Sequence, residues 1–248
     1  MKGVLLRVGC DITPNAGNWN APVDLRTREY VYVPIPGHED QHWHLGKCPT
    51  YGSISPALEH LGMTLPPKLA PHRKLHLDPD FTSLSIGEPH HDDDGRLSSR
   101  GRVLNQLDAG DFIAFFAGFR PIGHPGSSPL AYCLFGILHV KAKTLVGDLP
   151  FKKRRSCAHG RVIGKGKDLV LWGDPNTSGR FRKALPIGEY RDRSYRVTRE
   201  LLADWGGLAV KDGYIQRSAK PPFFLDPSRF LNWLNLQEEI WPLLHSNW

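Results

Sequence analysis

The sequence predicts a mixed α+β fold: a strand-rich core, several short helices and an amphipathic helix near the C-terminal end. Three observations lead there. Runs rich in β-branched and aromatic residues recur at 3–8, 29–36, 112–117, 131–143 and 168–172. The 248 residues include 21 prolines and 25 glycines, which punctuate the chain too often for long helices. The only wide apolar stripe at helical spacing comprises Phe230, Leu231, Trp233, Leu234, Ile240, Trp241 and Leu244.

Taken in order, residues 3–8 form a short strand that stops at a cluster of turn formers, 9–17. The run 29–36 is strand-like, but Pro34 and Pro36 lack the N–H a ladder needs, so it belongs at an edge or a strand end. Ser55 and Pro56 start a short helix as cap and first helical residue, and the proline-rich stretch 65–71 ends it. A helix is expected over 98–107. Residues 112–117 and 131–143 then read as two central strands, the first apolar on both faces. The strand 168–172 delivers a polar loop, Thr198 caps a helix running to Trp205, and Asp226 with Pro227 starts the terminal helix. No repeat or long linker divides the chain, so residues 1–248 are expected to form a single domain.

Hydrophobic residues make up 40% and charged residues 23%, which excludes a disordered chain and a coiled coil. The apolar stretches fall short of the roughly 20 residues needed to cross a bilayer. The four cysteines form no C-x-x-C pair and no leader pattern opens the chain, so reduced thiols and a cytoplasmic location are expected. A net charge of +7 favours polyanionic partners, nucleic acid or nucleotide first.

Several clusters have the residue types for chemistry. His76, Asp78 and Asp80 share one face if their segment is extended, because strand side chains alternate with period two; they are the candidate acid–base residues. The competing reading has an aspartate capping a turn around Pro79. Arg180 and Arg182, in a loop of hydroxyls and glycines, suit phosphate recognition. Trp19, flanked by Asn18 and Asn20, and Tyr51 are candidates for base stacking and edge contacts. The loop with His38, His42, His44 and Cys48 has metal-ligand residue types in no familiar spacing, and Asp92, Asp93 and Asp94 read better as a solvated tip. No residue is therefore assigned to a metal, and the sequence names no cofactor. The basic run 152–155 reads as a solvated face.

Six segments carry a resemblance: 7–11, 17–22, 30–36, 50–52, 76–81 and 110–118. Together they resemble the third of the nucleotide-modification-associated domain families, whose members are implied to act in systems that modify nucleic-acid bases. Residues 107–117 and 131–140 are also similar to the paired strands of PUA-like barrels of the ASCH and EVE groups, which implies a barrel. The resemblance carries over no functional residue; local chemistry and motif position make Asp11, Trp19, Asn20, Thr50 and Tyr51, with His76, Asp78 and Asp80, the candidate pocket residues, and Arg180 and Arg182 a basic rim. The leading expectation is a protein that recognises a modified base by stacking and hydrogen bonds. The alternatives are an enzyme using a His/Asp acid–base pair, with or without a metal, and a non-catalytic component that binds protein partners.

Overall fold

The computed structural model describes all residues except 10, 12–18, 38–47, 90–97, 124–129, 163 and 217–219. His38, His42, His44 and Asp92 to Asp94 therefore lie outside the described residues.

Two long strands, β6 (Phe112–Ile122) and β7 (Ala131–Leu145), pair antiparallel at the centre of a seven-stranded sheet. Strand β1 (Gly3–Arg7) runs parallel to the first half of β6, and β2 (Pro22–Asp24) runs parallel to its end. The first half of β7 pairs with β9 (Gly179–Pro186) and its second half with β8 (Leu169–Gly173), to which β5 (Ser85–Glu88) adds antiparallel. Two small antiparallel pairs stand apart: β3 (Ile35–Pro36) with β4 (Leu75–His76), and β10 (Gly188–Arg191) with β11 (Ser194–Val197). The helices are α1 (Ser55–His60), α2 (Ser99–Leu104), α3 (Phe151–Arg154), α4 (Arg199–Asp204) and α5 (Pro227–Asn235).

The central strands are apolar on both faces because the sheet is covered on both. Along β6, Ile113, Phe115, Ala117 and Phe119 enter one core while Phe112, Ala114 and Phe116 enter the other, the period-two alternation of a pleated strand. The first core is closed by residues around 21–33, α1, the 69–86 segment and α2, and it contains Phe135, whose ring stacks on Tyr32 at 5.0 Å. The second is closed by α5 through Phe230 and Leu234, and by Trp205.

The predicted barrel is not formed: the sheet path ends at β1 and β5, which do not pair. At β1 the open edge is instead bonded by residues 222–224, through Leu5 N to Pro222 O and Phe224 N to Gly3 O, both 2.9 Å. Those bonds take up groups that barrel closure would have used.

The terminal helix is shorter than its apolar stripe. It stops at Asn235, and the stripe residues Trp241 and Leu244 are non-helical because Leu244 exchanges two backbone hydrogen bonds with Arg180 of β9, at 2.8 and 2.9 Å. The run 29–36 supplies only the two residues of β3, as its prolines require. Helix α1 begins at Ser55 with Ile54 as its cap, one residue earlier than predicted. Thr198 caps as expected, accepting from Leu201 N, while the helix expected over 98–107 spans only Ser99–Leu104, with Ser98 as its cap accepting from Gly101 N. The basic run, read as a solvated face, winds into α3.

Phe135→Ala removes a fully buried ring that meets Tyr32, Phe81, Phe115 and Phe119. The expected loss is about 3–5 kcal/mol, measured as a lower denaturation midpoint at unchanged slope in urea.

Candidate functional site

The β3–β4 pair places His76 opposite Ile35, and two residues later the chain turns through Asp78, which precedes a cis peptide bond to Pro79. The Asp78 side chain is largely buried, and each of its oxygens faces protein groups. Oδ1 accepts from Gly87 N of β5 at 2.8 Å, while Oδ2 faces His76 Nε2 at 2.7 Å and His159 Nε2 at 2.9 Å. His159 sits in the turn after α3, and its other nitrogen, Nδ1, lies 2.5 Å from Asp168 Oδ2. Asp168 immediately precedes β8, and the β5–β8 pairing, with Glu88 opposite Leu169, brings it to this point. Gly87 is needed for the approach: a Cβ there would lie 2.2 Å from His159 Cδ2.

His76, Asp78, Gly87 and His159 form the floor of a cavity of about 420 Å³, within the size range of small-molecule sites. Its walls carry two more ion pairs. Arg100 Nε meets Glu88 Oε2 at 2.7 Å, and Arg7 Nη2 meets Asp11 Oδ2 at 2.6 Å while Gly118 N donates to the same carboxylate oxygen at 2.8 Å. Lys165 completes the basic wall. Burial raises Glu88 and Asp11 above the ordinary carboxylate range despite their arginines. For Asp78 burial pushes the same way but is outweighed by the imidazoles of His159 and His76, which hold it well below that range. His159 shows the complement: burial disfavours its charge, but Asp78 and Asp168 overcome this and push it up to about 9.

Of the predicted residues, the structure brings together His76, Asp78 and Asp11. Asp80 does not join them. It is buried and oriented as a turn aspartate, accepting from Thr82 N at 3.0 Å and from Asn247 Nδ2 at 2.9 Å, because the chain bends after Asp78 and the shared extended face is lost. Tyr51 is a core residue whose hydroxyl donates to Pro34 O at 2.8 Å, Trp19 packs against the first core, and Asn20 Nδ2 donates to Gly118 O at 2.6 Å. Thr50 forms a bridge with Lys74 outside the cavity. Arg180 is buried against Tyr30 and donates to Ser246 O at 2.9 Å, and Arg182 reaches Trp241 O, so neither lines the cavity. Its cations are Arg7, Arg100 and Lys165 instead. Glu88, Arg100, His159, Asp168 and Lys165 were missed. His159 and Asp168 have no spacing relation to His76, and only the β5–β8 pairing makes them neighbours.

His76, Asp78 and His159 each offer a ligand atom, all within 4.8 Å of one another. In the ion-free protein the charge on His159 makes stability depend on pH. Its folded value lies above the ordinary 6.5, so the contribution is complete below about 6.5 and is lost as pH rises through about 9. Thermal melts in chelator are expected to show the advantage of wild type over His159→Gln narrowing across that interval. An advantage that does not change there contradicts a charged His159.

No helix among the described residues is long and apolar enough to cross a membrane. No curated protein and no solved structure matches the chain. A family model described as nucleotide modification associated domain 3 matches residues 2–206, which include every residue of the cavity. The chain with this half-open, charge-lined cavity belongs to the nucleotide modification associated domain 3 family.

Proposed function

We propose that the chain is an enzyme of a nucleotide-modification system, acting on a nucleotide or an extruded nucleic-acid base held in the cavity, with its chemistry centred on His76, Asp78 and His159. The observation that supports this best is the convergence of two imidazoles on one buried carboxylate oxygen at the cavity floor, with a second carboxylate behind. Ionisable groups with shifted protonation, partnered by a specific charge in a cleft, are what acid–base chemistry needs. Arg7, Arg100 and Lys165 suit a phosphate at the wall.

A second reading, recognition of a base without turnover, was the leading expectation from sequence. The cluster of two imidazoles and two carboxylates at and behind the cavity floor favours the enzyme over that reading. A separate basic hollow lined by Lys68, His72, Arg73 and Lys74 lies beside the β3–β4 pair, where Gly37 N bonds Lys74 O at 3.0 Å. It suits the backbone of a nucleic-acid strand and favours a polymeric substrate.

The test is incubation with free nucleotides and with modified and unmodified oligonucleotides, each recovered for mass analysis. A mass change is expected, with Asp78→Asn lowering turnover at least about 100-fold and leaving oligonucleotide affinity within a few-fold. Binding with every ligand returned unchanged supports the recognition reading instead, and no binding removes both.

A further inference from the structure

We propose that His76, Asp78 and His159 form a three-ligand site for a first-row divalent transition ion, with Asp168 fixing His159 from behind. The proposal goes beyond the nucleotide reading and uses the same cavity floor, but its argument rests on the ligand geometry alone.

The geometry is that of a metal site with open positions. Imidazole nitrogen and carboxylate oxygen bind such ions at about 2.0–2.2 Å, so neighbouring ligand atoms sit roughly 3 Å apart. Here His76 Nε2 and His159 Nε2 lie 2.7 and 2.9 Å from Asp78 Oδ2, and the three atoms fall within 4.8 Å of one another. A small outward movement of the carboxylate accommodates an ion. Two histidines and one carboxylate leave coordination positions vacant, and here those positions face the cavity.

The surroundings match what ligands need. A metal-bound histidine commonly gives its other ring N–H to a carboxylate, which sets the tautomer and aims the free nitrogen at the ion. His159 Nδ1 meets Asp168 Oδ2 in that relation. The non-ligating oxygen of Asp78 is held in turn by Gly87 N. A hydrogen-bonded ion pair alone gives no reason for a second imidazole to aim at the same oxygen. His76 does so although its buried Nδ1 has no hydrogen-bond partner among the described residues. Two imidazoles select a transition ion over magnesium or calcium, which prefer oxygen ligands. Such an ion supplies Lewis acidity at a bound phosphate or carbonyl oxygen, or activates a water.

The test uses the full chain stripped with chelator, then titrated with Co²⁺ and followed by visible absorption, with Zn²⁺ in competition and the bound metal counted by elemental mass spectrometry. One ion per chain is expected, together with a rise in Tm. Asp78→Asn keeps the side-chain shape and the Gly87 contact, and is expected to abolish the Co²⁺ spectrum. Asp168→Asn, which touches no ion, is expected to weaken binding about 10–100-fold. Circular dichroism checks that each variant is folded. Absence of binding, or equal binding by wild type and folded Asp78→Asn, overturns the proposal. Metal bound without any change to a nucleotide leaves this site standing and counts against the proposed function; turnover by metal-free protein does the reverse.

Discussion

Asp78 keeps a negative charge out of water, and the neighbourhood of the cavity is arranged around that fact. Removing a carboxylate from water costs several kcal/mol even after the protein relaxes, and the cost is offset only when every lone pair finds a donor or a positive charge. Gly87 N, His76 and His159 do this from three separate stretches of chain. Each of those stretches is then constrained in its turn. Gly87 must lack a side chain, His159 must lie flat against β5, and Asp168 must stand behind it.

The sheet is what brings these stretches together. Strand β5 pairs with β8 and β8 with the second half of β7, so the pairing sets Leu169 opposite Glu88 and leaves Asp168 just beyond that end of β5. The sheet in turn rests on two cores, one on each face, filled by the alternating side chains of β6. A site assembled from paired strands and short turns has little freedom to shift, which suits chemistry that depends on tenths of an ångström.

Much of this framework was legible in the residues. The continuous apolar runs of β6 and β7 announce strands buried on both faces, and Thr198 and Asp226 cap where a side-chain oxygen is needed. His76 and Asp78 were readable because their relation is local, two residues apart. His159 and Asp168 were not, since their meeting with Asp78 depends on long-range pairing that leaves no periodic trace. Arg180 misled for a related reason: a guanidinium in a polar-looking loop reads as a phosphate ligand, whereas here the loop is a strand and Arg180 is occupied by Tyr30 and Ser246. Asp80 shows how a local rule gives way when the backbone turns, because period-two placement holds only while the chain stays extended.

The bonding of residues 222–224 to β1 has a consequence for how the molecule is made. A chain leaves the ribosome from its N-terminal end, so β1 emerges more than 200 residues before the segment that occupies its outer edge. Strand β6, its inner neighbour, also comes only after a long stretch of synthesis. Throughout that time β1 presents unpaired backbone groups on both sides. Stalling before residue 222 therefore leaves a β-strand edge open to pairing with other chains.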